Sequence, residues 1–381
     1  MRDCSKLLDE LKCDYKEVYS YIKQKAKTPG YFIGIRDNYL NIYYKCASVA
    51  KVGINKNGPV IETHLKYLGK DEPESKRYIK ISFDQLKENW KRILKNIHYI
   101  QLGKSDSKLT KSSHKKIEKI TQQWIVNETN SRQDSDWYYV DLEYEMKNAS
   151  TLFRFDMIAV TKQKVDGKHK VALVELKVKD GSYKGMDGSK KKGHENAFDS
   201  ILKKNDELYN CNDVKFGSGI VGHIADYLRF LHNKTNYNTL KQEIIDIIKC
   251  HKRLGVLKDI DLSLTVNDLA DKPEVHIVSF TKVPNDKEHS NAAVPIKTLK
   301  ETMYKYLFKE PKNSVKISSG YCLENCINSA NINGFNTLRE ELFTDNNEIH
   351  CVQDIKGENF DFYFTFVDAT RSDAWNCLPK L

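Results

Sequence analysis

The sequence predicts an α/β protein, strands and a hairpin interleaved with helices, preceded by a small, mainly β (α+β) accessory unit. Three observations support this class. Short runs rich in β-branched and aromatic residues, separated by turn formers, fill residues 31–68. From Ser112 to about Leu231 the periodicity changes in the order helix, strand, hairpin, helix, helix. Within that region Asp166-Gly167, a strong two-residue turn signal, separates the apolar runs FRFDMIAVTKQKV and KHKVALVELKV.

The elements follow in order. SKLLDELKCDYKEVYSYIKQ has helical spacing of its apolar residues and is expected to be one helix. Three strand-like runs come next, YFIGIRD, YLNIYYKCASVAKVGI and PVIETHLKYL, with Asp37-Asn38 and Asn57-Gly58 as turns. A helix over FDQLKENWKRILKNI closes this unit. The polar LGKSDSKLTKSS reads as a linker, which divides the chain into residues 1–103 and 104–381. Beyond it a helix is expected at about 113–127, with Ile117, Ile120 and Trp124 on its core stripe. The strand-like YYVDLEYEM then leads into the hairpin. SGIVGHIADYLRFLHN is a helix with Ser218 as its N-cap. A C-terminal α/β extension holds the helix LKQEIIDIIKCHKRL, the strand PEVHIVSFTKV, helices near 295–308 and 322–344, and the strand FDFYFTFVD.

Charge placement narrows the partner. The chain carries a formal +10, with 39 Lys and Arg against 27 Asp and Glu in residues 1–200 but 23 against 25 in the rest. A basic half that contains the hairpin suits a polyanion, with nucleic acid ahead of membrane and surface lysines for solubility as the bland alternative. Neither a transmembrane run nor a signal peptide is apparent, and the nine cysteines form no paired framework, so a cytoplasmic protein with reduced thiols is expected. Cys322 and Cys326 read as structural thiols rather than zinc ligands. LGKS at 102–105 lacks the upstream glycine of a phosphate-binding loop.

A two-residue turn at Asp166-Gly167 pairs Val165 with Lys168. Extended down the arms, that register sets Asp156 opposite Lys177 and Ile158 opposite Glu175. Asp156, Glu175 and Lys177 then share one face, while Phe155, Met157, Ala159, Val174, Leu176 and Val178 share the other. Two nearby carboxylates repel unless a cation lies between them, and hard oxygen ligands suit Mg²⁺. The lysine beside them can orient or help deprotonate an attacking water. The competing reading is a cross-strand Asp156–Lys177 salt bridge on a wet sheet face.

An Asp opening one strand, followed by Glu-x-Lys in the apolar VALVELKVK, resembles the PD-(D/E)xK nuclease superfamily. The resemblance covers about residues 112–231; Phe155 stands where the motif's proline would be. It implies a restriction-endonuclease-like mixed sheet for residues 104–381 and Mg²⁺-dependent phosphodiester hydrolysis, with Mn²⁺ able to substitute. Asp156 and Glu175 match the acidic metal ligands and Lys177 the catalytic lysine. Glu118, beside the core stripe of its helix, matches a further metal ligand, with a surface glutamate as the alternative. Glu143 is given a rim role. His223 and Tyr227, one turn apart, are candidates for phosphate contact, with core-edge hydrogen bonding as the alternative. Lys184, Lys190, Lys191 and Lys192, in the glycine-rich loop after the Glu-x-Lys strand, suit nucleic-acid backbone contacts. DNA is favoured over RNA by analogy, with bacterial defence or restriction as the setting and room for a homo-oligomeric or regulatory partner. The alternative is a nuclease fold without catalysis, acting as a binding or assembly module.

Overall fold

The computed structural model describes residues 2–69, 77–102, 117–148, 151–183, 223, 227, 230, 231, 233–257, 264–284, 293–307, 347–353 and 359–381. Two helices open the chain, α1 (Ser5–Asp14) and α2 (Lys16–Lys27). The single helix expected here is broken at Tyr15, whose backbone leaves the helical region (φ −130°, ψ 54°). The break serves packing, because α1 buries Leu7, Leu8 and Leu11 while α2 redirects Val18 and Ile22 toward the first strand.

A five-stranded antiparallel meander follows: β1 (Tyr31–Arg36), β2 (Tyr39–Tyr44), β3 (Ala47–Asn55), β4 (Gly58–His64) and β5 (Tyr78–Ile81). The run expected as one strand over 39–54 is two, turning at Lys45 and Cys46, which are both left-handed (φ 49° and 55°). Side chains outside the meander hold this turn: Gln101 donates to the Lys45 carbonyl at 2.8 Å, and the Cys46 amide donates to Gln123. Propensity had no access to those partners. Helix α3 (Phe83–Leu102) closes the meander.

The second sheet has six strands in the order β10-β11-β9-β8-β7-β6. Helix α4 (Ile117–Ser131) precedes β6 (Trp137–Asn148), β7 (Thr151–Thr161) and β8 (Val171–Val178), which are antiparallel neighbours. The chain returns through α5 (Lys234–Leu254) to β9 (Glu274–Phe280), parallel to β8. Asn233 caps the Thr235 amide at the start of α5, and Gly255 (φ 74°) ends it with left-handed backbone. Leu240, Ile244, Ile247 and Ile248 of α5 are buried, each burial contributing about 1.5–3 kcal/mol. Helix α6 (Ile296–Leu307) and strands β10 (Asn347–Gln353) and β11 (Asn359–Val367) complete the sheet, β11 being parallel to β9. No helix among the described residues is long and apolar enough to cross a membrane. The segments 103–116 and 322–344 and the lysine loop at 184–192 lie outside the described residues.

The hairpin register departs from expectation. Its tip is as read, with Val165 bridged to Lys168 and left-handed Asp166 and Gly167. Farther down, Val160 pairs with Val171 and Ile158 with Leu173, so two extra residues bulge from the first arm. The bulge is anchored: the Lys162 amide donates to Asp136 O and its Nζ to Arg132 O, at 2.7 and 2.6 Å. Asp156 therefore stands level with Glu175 rather than Lys177. Because the slip is two residues, side-chain parity is kept as far as the last pair, Met157 and Val174.

Neither face of this sheet is wet. One packs on a core that runs into the meander and α5 and includes Ile158, Val160 and Leu173. The other packs under α4 and the tail 369–378 and includes Met157, Ala159, Val174, Leu176 and Val178. Phe155, expected with that second set, lies in the first, against Tyr227 and Phe230. Both strands change face here: Leu142 and Met157 belong to one core, Tyr144 and Phe155 to the other. Left-handed Glu143 (φ 50°) marks the switch.

Candidate active site

Pairing between β7 and β8 stops at Met157 and Val174; past that point β7 follows β6, and β8 follows β9. The fork strips the outward β8 amides of ladder partners, and buried N–H groups must find others. Carboxylates supply them. Asp156 Oδ2 accepts from the Leu176 amide at 2.8 Å, and Glu118, arriving from the first turn of α4, accepts from the Val178 amide.

Glu175 and Lys177 stand inside the fork at 2% and 3% exposure. Lys177 Nζ donates to Glu175 Oε1 at 2.6 Å, and His223 Nε2 lies 3.2 Å from the same oxygen. Tyr227, fully buried, donates its hydroxyl to Glu175 Oε2 at 3.4 Å. Thus His223 and Tyr227, read from sequence as candidates for phosphate contact or for core-edge hydrogen bonding, are placed as partners of Glu175. Glu143 is paired with Lys119 Nζ at 2.6 Å. Its position in the β6–β7 register, between the Leu142–Met157 and Tyr144–Phe155 pairs, is across from Asp156.

The electrostatics are unbalanced. Four carboxylates, from Glu118, Glu143, Asp156 and Glu175, face the ammonium groups of Lys119 and Lys177. Burial, reinforced by the charge of Glu175, holds the Asp156 carboxyl well above its ordinary range despite the pull of Lys177 and the Leu176 amide. Burial also raises Glu118, with Lys177 opposing and Glu175 adding to the rise. Glu175 falls below its ordinary value, because Lys177, His223 and Tyr227 outweigh its burial. Lys177 stays charged: burial would lower it, but Glu175, Glu118 and Asp156 raise it further.

Among the described residues no group of three or more His, Cys, Asp and Glu side chains forms a ready metal cage. The donor set still fits a hard divalent cation in kind. Its ligands are oxygen carboxylates, and two of them are held in a state that a cation would relieve.

Sequence reasoning missed four residues, Lys119, Arg36, Asp141 and Arg2. Lys119 pairs with Glu143 at the site. Arg36 and Asp141 bond at 2.8 Å in the interior, and Arg2 joins the same carboxylate. A charged residue inside each of the apolar runs YFIGIRD and WYYVDLEY was the available signal. No family model, curated protein or solved structure matches the chain.

Proposed function

We propose that the chain is a Mg²⁺-dependent nuclease of the restriction-endonuclease-like fold that hydrolyses phosphodiester bonds, with DNA as its substrate class. The observation that carries this reading is the gathering of Asp156, Glu175, Lys177 and Glu118 at one strand fork. The order of α4, three antiparallel strands, α5 and a parallel strand supports the fold assignment. Residues 1–103 are the accessory unit and 104–381 the nuclease-like unit in this reading. A cytoplasmic setting suits the free thiols at Cys4, Cys13, Cys46, Cys250 and Cys377, and restriction or defence is the biological role proposed.

Asp156 and Glu175 would hold Mg²⁺ or Mn²⁺, with Glu118 beside them. The ion's contribution is charge neutralisation at the scissile phosphate. Tyr227 and His223, bonded to different oxygens of Glu175, fix that carboxylate's orientation. Lys177, once released from Glu175, positions the attacking water and assists loss of its proton.

A second reading, a nuclease fold serving only for binding or assembly, is favoured by one observation: Glu175 already has Lys177, His223 and Tyr227 as partners. Calorimetric titration with Mn²⁺ and Mg²⁺ separates the two. The nuclease reading expects binding to the wild type and none to Asp156→Ala. Nucleic-acid binding by a wild type that takes no metal would select the second reading.

A further inference from the structure

Glu143 adopts left-handed backbone (φ 50°), which a non-glycine residue rarely enters and which persists only where its surroundings impose it. Two arginines of the N-terminal region bond backbone carbonyls on either side of it. Arg36 donates from Nη2 to the Leu142 carbonyl at 2.8 Å, and Arg2 donates from its own Nη2 to the Glu145 carbonyl at 2.8 Å. The residue is thus held from both sides. The same arginines converge on Asp141, which is fully buried: Arg36 Nη1 lies 2.8 and 2.9 Å from its two oxygens, and Arg2 Nη1 completes the triad. Arg2 also lies over the Tyr144 ring at 4.1 Å, and Arg36 donates to the Tyr43 hydroxyl at 3.1 Å.

A buried triad of this kind is a poor source of stability. Desolvating three charges offsets their attraction, and apolar replacements of similar volume are often neutral or stabilising. What the triad does accomplish is geometric. It fixes the kink that turns β6 over beside Asp156 and delivers Glu143 to Lys119.

We infer that Arg2 and Arg36 are positioning residues, a clamp by which the N-terminal unit holds Glu143, Lys119 and Asp156 in working arrangement. This rests on the nuclease reading for its functional half. The N-terminal unit is then a built-in part of the active centre and not simply a grip for substrate.

The test uses the full chain with Arg2→Met, Arg36→Met and Asp141→Leu together, which removes the triad without stranding a member. Arg36→Lys is the milder companion, keeping a charge for Asp141 but lacking the fork that also reaches Leu142 O. Two readouts are taken. Amide hydrogen exchange should accelerate at least about tenfold at residues 142–146, while residues 137–139 stay protected. Half-saturation by Mn²⁺ in a cleavage assay should rise at least about tenfold, and turnover at saturating metal should fall about 10²-fold. Unchanged exchange at 142–146 in both variants overturns the clamp, whatever the chemistry does. Accelerated exchange with wild-type metal dependence and turnover overturns its positioning role. If the wild type neither binds metal nor cleaves, the nuclease reading itself fails and the positioning role goes with it, whereas the exchange result still reports on the clamp.

Discussion

Asp156 is placed where its charge is unwelcome in the absence of a cation, and that has a stability consequence. Its folded-state pKa is raised, so its ionised form costs stability in the folded state. Below the ordinary carboxylate range both folded and unfolded chains hold the proton and no penalty exists. As pH rises, the unfolded chain releases its proton first and stability falls, until the folded value is passed. Asp156→Asn is neutral, and its side-chain oxygen can still accept from the Leu176 amide. Thermal melts of the metal-free protein at pH 7 should therefore show Asp156→Asn more stable than wild type, although unable to cleave. A lower melting temperature would mean the carboxylate is a structural partner. Lys177 gives the complementary case. Removing its ammonium leaves Glu175 and its neighbours short of positive charge, so Lys177→Ala should bind Mn²⁺ more tightly while hydrolysis slows about 10²–10⁴-fold. Weaker metal binding in that variant would assign Lys177 to holding the ligands in place.

At the scale of elements, α5 is the joint between the two sheets. His251 on α5 donates from Nε2 to the Ile33 carbonyl of β1 at 2.8 Å, and its Nδ1 takes the Tyr138 hydroxyl of β6 at 3.0 Å. Burial pushes its pKa down, partly countered by the Ile33 carbonyl. Below about pH 6.5 the unfolded chain takes up a proton that the folded chain refuses. Denaturant titrations should show stability lost as pH falls through that range, with a slope approaching about 1.4 kcal/mol per pH unit for this group. His251→Gln should lose that component; an unaltered pH profile would rule His251 out as its source. The same joint explains what was legible in the sequence. Strong local signals such as the Asp166-Gly167 turn, the α4 stripe and the apolar runs of β8 and β9 gave their elements. The two-residue bulge, the Lys45–Cys46 turn and the strand switch at Glu143 were hidden. Each is imposed by groups far along the chain: Arg132 and Asp136, Gln101 and Gln123, Arg2 and Arg36. The edge strands β5 and β10 carry little periodicity of their own, and each pairs with a single neighbour.

For the whole molecule, the positive field of residues 1–200 predicts a salt-dependent grip on nucleic acid. Replacing Lys190, Lys191 and Lys192 with Gln should weaken binding evenly across sequences. It should also flatten the plot of log affinity against log salt by about 0.9 for each duplex phosphate no longer neutralised. An unchanged slope would return those lysines to a solubility role. Both of these effects concern binding, whereas the proposed hydrolysis belongs to the fork of β7 and β8. It is tested most directly by single-turnover incubation of purified protein with single- and double-stranded DNA and RNA, with Mg²⁺ and with EDTA. Wild type and Asp156→Asn are run side by side from equally pure preparations. Wild type should cleave DNA phosphodiester bonds in a Mg²⁺-dependent manner, with cleavage abolished by EDTA and absent from Asp156→Asn. Cleavage that survives in Asp156→Asn, or a folded wild type inert on every substrate with Mg²⁺ and with Mn²⁺, would contradict it.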